Sequence, residues 1–193
     1  EAVAAGALTA IVLLAAIGVV GAAVGWFYFL HDYQKERVFT FLDPERDPLG
    51  TAYHAIQSQI AVGSGGLLGK GFGQGSQSQL DFLPEQQTDF VFSVLGEEWG
   101  FVGSAVVLAL YLGILIRGLM IAHSSKDQFG SYLAVGIVAL FFWAGLINVG
   151  MVIGVVPVVG VPLPMLSYGG SALLTCMIAL GLLMNVSMRR YVF

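Results

Sequence analysis

The residues best able to do chemistry lie in one polar stretch, Gln77-Ser78-Gln79-Leu80-Asp81-Phe82-Leu83-Pro84-Glu85-Gln86-Gln87-Thr88-Asp89, which ends against Phe90-Val91-Phe92. Pro84 suits the first turn of a helix, and in such a helix Glu85 and Asp89 are four residues apart on one face. Two carboxylates there can supply a general base, a hard-oxygen cation site, or both. Glu85 is equally well explained as an acid that stabilises a helix start. Asp89 is not, because the apolar residues that follow draw it toward apolar surroundings. A second candidate is the glycine-rich run from Gly63 to Gly75 around Lys70. It fails the Walker pattern, with Ser64 where the first glycine belongs and Gly71 where Ser or Thr belongs. Bare backbone N–H groups and one lysine can still hold a pyrophosphate; the alternative is a flexible loop with Lys70 in water. The third is Leu166-Ser167-Tyr168-Gly169-Gly170-Ser171, whose hydroxyls, phenol and paired glycines are a weak choice for lipid contact. It either lines a polar cavity or packs helices through small residues. The residues these stretches offer as candidate contacts for a bound molecule are Lys70, Gln77, Ser78, Glu85, Thr88, Ser167, Gly169, Gly170 and Ser171, with Asp89 as a candidate base and Asp89 and Glu85 as candidate ligands of a divalent cation. Glu97 and Glu98 read as boundary residues before an apolar run, and Asn148 as an interhelical hydrogen bond.

The elements that must position these residues are membrane helices. Hydrophobic residues make up 57% of the chain and charged residues 10%, against about 25% charged in a soluble domain. Four runs are long enough to cross a hydrocarbon core, which takes about 20 helical residues: 7–30, 99–121, 132–156 and 165–188. Without water to satisfy the backbone, helix is the reading for each. The expected fold is thus an all-α polytopic bundle with one large loop, 31–98, and a short proline-bearing segment, 157–164, that suits a re-entrant turn packed on protein. Within the loop, 31–42 reads as an interfacial amphipathic helix, 43–48 as a turn, and Tyr53–Val62 as a helix with Ile56 and Ile60 on one face. Four spans put both termini and the 122–131 turn on one side, with Lys126, Arg189 and Arg190; the long loop carries ten of the twelve acids. Counting basic residues in short segments only places the termini in the cytoplasm and 31–98 outside. No basic patch suggests nucleic acid, the single Cys176 excludes a disulfide framework, and His31, His54 and His123 have no ligand spacing. The first residue is Glu1 and the first apolar run lacks the marks of a signal peptide, so sequence upstream is expected.

Several of these segments, taken in order, resemble the SEDS family of peptidoglycan glycosyltransferases, in its RodA branch. They are Thr40-Phe41-Leu42-Asp43-Pro44-Glu45-Arg46-Asp47-Pro48, Gly75-Ser76-Gln77-Ser78-Gln79-Leu80-Asp81-Phe82-Leu83-Pro84-Glu85, Thr88-Asp89-Phe90, Gly96-Glu97-Glu98-Trp99-Gly100 and Pro164-Met165-Leu166-Ser167-Tyr168-Gly169-Gly170-Ser171. The resemblance reaches from the first span to Arg190. It implies a ten-span bundle of which this chain holds the last four, in the bacterial cytoplasmic membrane. It also implies polymerisation of lipid II on the outer side, with Asp89 at the family's proposed catalytic aspartate. The partner it implies is a class B penicillin-binding protein, whose membrane helix docks near 99–121 and 132–156. The absent spans contribute cavity residues, so this chain alone is expected to be inactive. In the implied reaction a sugar hydroxyl attacks an anomeric carbon and a lipid pyrophosphate leaves. That leaving group needs charge neutralisation from Lys70 or from Mg²⁺ or Mn²⁺. Two other readings are a lipid II flippase, which needs a charged path that these spans lack, and a scaffold for the transpeptidase, which does not need the polar cluster 77–89.

Overall fold

The computed structural model describes Gly18, Val20, Gly21 and residues 24–43, 51–76 and 87–189. The expected first span lies largely outside them; its end is a π-helical turn, Gly25–Phe29, closed by the Leu30 N–H on the Gly25 carbonyl at 2.9 Å. Among the described residues five α-helices follow: α1 (Asp32–Leu42), α2 (Thr51–Ser64), α3 (Val91–Ser124), α4 (Gln128–Val152) and α5 (Gly170–Arg189). No strand occurs among the described residues. Helices α3, α4 and α5 are each long and apolar enough to cross a membrane, so the chain is an all-helical membrane protein.

Helix–helix contact in a bilayer depends on close packing rather than on exclusion of water. At Gly118 a Cβ would collide with Val138, and at Gly145 with the Tyr111 ring, so these two glycines set the approach of α3 to α4. The Tyr111 hydroxyl then reaches the Phe141 carbonyl at 2.7 Å. The shared core of α3, α4 and α5 is a narrow stripe that includes Leu115, Ala134, Phe141, Cys176 and Leu183. Apolar side chains beyond it, such as Leu110, Trp143, Leu174 and Met184, stay exposed. At one end the α3–α4 turn is fixed by Asp127, whose carboxylate accepts the N–H groups of Phe129 and Gly130.

The other end gathers the described parts of the loop region. Helix α1 starts with a cap on its backbone, Gln34 Oε1 accepting the His31 N–H at 3.0 Å. It is held down by Arg37, which donates to the Val158 carbonyl at 2.9 Å. Helix α2 packs by its small residues: Ala52, Ser58 and Ala61 are buried, and Ser58 Oγ donates to the Val152 carbonyl at 3.0 Å. Ile56 and Ile60 share a face as expected, but that face is exposed. Close approach to α3 at Gly96 requires the small side.

Three boundaries differ from the hydropathy reading. Helix α3 begins at Val91 rather than 99 and is broken at Gly100, where φ 66° and ψ −163° fit glycine alone. Helix α4 runs from Gln128 to Val152 rather than over 132–156. Helix α5 begins at Gly170 rather than 165, because Met165 takes a positive φ of 69° and the Ser167 hydroxyl accepts the Leu163 N–H at 2.7 Å, closing a turn instead.

Candidate functional site

Asp89 lies in a turn, Gln87–Asp89, directly before α3. A helix carrying Glu85 and Asp89 on one face therefore does not form at its Asp89 end; Phe90 and Phe92 are buried instead and anchor the turn. The turn is sewn to the non-helical segment 153–169 at one end and to α4 at the other. The Tyr168 N–H donates to the Gln87 carbonyl at 2.8 Å, and Asn148 Nδ2 donates to the Asp89 carbonyl at 2.9 Å. Between these bonds the half-buried Asp89 carboxylate lies over Gly160: a Cβ built on that glycine would stand 3.1 Å from Oδ2. The segment 157–164 does pack on protein, with Leu163 and Pro164 buried.

Beside the turn is an open groove of about 670 Å³, bounded by Gln87, Val91, Val94, Ser167, Tyr168 and Leu173, with Gly169 and Gly170 in its wall. Three of the expected contacts, Ser167, Gly169 and Gly170, thus meet at one groove. Ser171 is exposed and does not line it, its carbonyl accepting from Thr175 Oγ1 at 2.9 Å. Thr88 is half-buried in the Asp89 turn. Gln77, Ser78 and Glu85 lie outside the described residues.

The glycine-rich run is neither a phosphate loop by motif nor a slack one. It fills the break in α3. The N–H groups of Lys70 and Gly71 donate to the carbonyls of Glu97 and Glu98 at 3.0 Å each. The N–H groups of Phe101 and Val102 donate to Gly66 and Leu67 at 2.9 and 3.1 Å. Gly65, Gly69 and Gly100 are needed for this contact, since a Cβ on any of them would strike the opposing backbone. Lys70 Nζ meets Glu97 Oε1 at 2.8 Å, and the Ser76 hydroxyl joins both. Glu97 is fully buried, so its reading as a boundary residue is corrected: it neutralises Lys70 inside the protein. The signal was present in the sequence. Lys70 is the only lysine between Lys35 and Lys126, and it stands among the glycines that a close approach needs.

No three His, Cys, Asp or Glu side chains gather as a metal cluster among the described residues. Among the described residues of the 87–89 turn, Asp89 supplies a hard-oxygen donor. One carboxylate fits Mg²⁺, which keeps several waters and takes other ligands from substrate phosphates.

A family model of cell cycle proteins, FtsW/RodA/SpoVE, matches residues 2–192. The chain belongs to the FtsW/RodA/SpoVE family. Over 165 residues it is 54% identical to the peptidoglycan glycosyltransferase MrdB of Escherichia coli K12, covering 86% of this chain and 45% of MrdB. Over 170 residues it is 48% identical to the peptidoglycan glycosyltransferase RodA of Treponema pallidum, covering 88% of this chain and 39% of that protein. It therefore spans less than half the length of these FtsW/RodA/SpoVE relatives. A solved peptidoglycan synthase complex, described as coordinating polymerisation and crosslinking, contains a chain that superposes with TM-score 0.71 at 34% identity, over 94% of this chain and 49% of that one. A mutant of the rod shape determining protein RodA of Thermus thermophilus superposes with TM-score 0.52 at 38% identity, over 55% of this chain and 36% of that one.

Proposed function

We propose that this chain is part of a peptidoglycan glycosyltransferase that polymerises lipid II in the bacterial cytoplasmic membrane, with Asp89 as its general base. The observation that carries this reading is the half-buried Asp89 carboxylate, set over Gly160 in a turn whose backbone Asn148 holds and whose first residue, Gln87, borders an apolar-walled groove. Asp89 takes the proton from the 4-hydroxyl of one lipid-linked sugar. The oxygen forms a bond to the anomeric carbon of a second sugar, the bond from that carbon to the lipid pyrophosphate breaks, and configuration inverts. Pyrophosphate is a good leaving group once its charge is neutralised, so a second catalytic carboxylate is not required. The apolar groove beside Ser167, Gly169 and Gly170 suits the lipid chain. The loop region and segment 153–169 share one end of the bundle, and the positive-inside argument puts that end outside the cell. Asp89→Asn in the full-length protein should cost ~10²–10⁴-fold in polymerisation rate, with expression and partner binding retained. Near-normal glycan product from this variant would remove Asp89 as the base.

A divalent cation held by Asp89 and Glu85 would neutralise the departing pyrophosphate when bound. Lys70 is the alternative source of that charge, although Glu97 already matches it. Loss of polymerisation in excess chelator, restored by Mg²⁺ or Mn²⁺, is the expected result; full activity in chelator would end the cation reading.

The coordination described for the related synthase complex supports a crosslinking partner, a class B penicillin-binding protein docked on α3 and α4. Of the small residues there, Gly145 serves the bundle itself, whereas Gly113 and Gly136 face open space. Cysteine crosslinks to the partner's helix should therefore cluster near Gly113 and Gly136. Crosslinks confined to α5 or to 7–30 would show the face to be misplaced.

A further inference from the structure

Asn148 stands one turn before the end of α4 and is fully buried. Its Nδ2 donates two hydrogen bonds, to the Asp89 carbonyl at 2.9 Å and to the Val161 carbonyl at 2.7 Å. Its Oδ1 receives none among the described residues. The two carbonyls belong to the two pieces of backbone that enclose the Asp89 carboxylate: the turn that bears it, and the segment next to Gly160, over which it lies. One amide nitrogen thus sets the spacing between the carboxylate and its floor.

We infer that Asn148 is a positioning residue for Asp89, acting through these two carbonyls; the inference rests on the reading of Asp89 as the base. A residue present only to fill space would be apolar and would not bury an acceptor without a partner. A residue present only to join helices would bond to another helix, whereas both partners of Asn148 lie in non-helical backbone. The task requires two donors from one atom, which an ionised aspartate cannot provide. Gly160 is the complementary half. Its φ of +79° strains any side chain, and a Cβ there, 3.1 Å from Oδ2, would push the carboxylate by a few tenths of an ångström. A displacement of about 1 Å at a reacting group costs on the order of 10²-fold.

The test uses the full-length protein with its crosslinking partner, purified lipid II, and four variants: Asn148→Leu, Asn148→Asp, Gly160→Ala and Ser131→Ala. Ser131 makes a comparable side-chain bond, to the Ala122 carbonyl at 2.9 Å, at the opposite end of the bundle. Asn148→Leu and Gly160→Ala should each lower kcat by ~10–100-fold with KM within about two-fold, and should move the acid limb of the pH–rate profile. Their combination should lose little more than either alone, because both act on one carboxylate. Ser131→Ala should leave rate and profile unchanged. Wild-type kcat in Asn148→Leu and Asn148→Asp overturns the inference, as does a loss that only tracks the fraction of folded protein. If the Asn148 variants do not fold, Gly160→Ala decides, and unchanged turnover there overturns it. Asp89→Asn, run alongside, separates the two claims. An active Asp89→Asn defeats the base itself, while an inactive Asp89→Asn with a fully active Asn148→Leu defeats only the positioning.

Discussion

Glu97 and Asp89 are eight residues apart in one short stretch, and the fold treats them in opposite ways. Glu97 is fully buried and is held by its charge, with Lys70 Nζ at 2.8 Å and Ser76 on the same oxygen. Asp89 is half-buried and is held by its backbone, through Asn148 on its carbonyl. An acid whose charge is answered inside the protein serves to join parts of it. An acid whose peptide is clamped keeps a defined direction for its carboxylate, which is what proton transfer requires.

The comparison is open to direct attack through stability. Lys70→Met should take the cation away from the buried Glu97 carboxylate, at a cost of about 3–5 kcal/mol, read as a lower unfolding temperature in detergent. Lys70→Met with Glu97→Met should recover most of that loss, since the pair is then replaced by apolar side chains. A Lys70→Met protein that melts like the wild type but no longer polymerises lipid II would break the comparison, because the pair would then belong to the reaction. A smaller effect is expected at the break in α3. Gly100→Ala forces a glycine-only conformation on alanine and drives a methyl against the Gly69 N–H and the Leu67 carbonyl, costing about 1–3 kcal/mol from backbone strain alone. Limited proteolysis at 63–76 should speed up accordingly, and unaltered proteolysis would mean that the loop does not depend on the break. The smallest effect has the opposite sign. Gly63 is helical with open space around it, so Gly63→Ala should stabilise by no more than about 1 kcal/mol. A loss there would show that the whole glycine run, not only Gly65 and Gly69, is packed.

Much of the bundle was legible because a continuous apolar run has few alternatives in a membrane. Helices α1 and α2 were legible from amphipathic and periodic patterns. The break at Gly100 was not, since Trp99-Gly100-Phe101 looks like any glycine in an apolar run until the loop that fills it is known. The late start of α5 was hidden for a similar reason: Met165 and Ser167 build a turn through contacts that hydropathy does not register. At the site, Asp89 stood out by its apolar neighbours, and Ser167, Gly169 and Gly170 by being poor lipid-facing residues. Asn148 gave no such sign. Its role depends on a carbonyl 59 positions earlier in the chain, and a lone asparagine in a span reads as helix packing. Glu97 was misplaced at the boundary because its partner lies 27 positions away, across a segment whose composition suggested mobility.

A glycine break in a long helix is ordinarily a place where the rod can flex. In this molecule the four backbone groups that border the break are all taken by the glycine run, two as acceptors and two as donors. Flexing at Gly100 would have to pull all four of those bonds apart together, so the joint behaves mechanically as a weld. The short arm 91–99, with the Asp89 turn at its tip, is then a rigid bracket rather than a lever. A force applied along 101–124 would be carried to the Asp89 turn with little lost to bending.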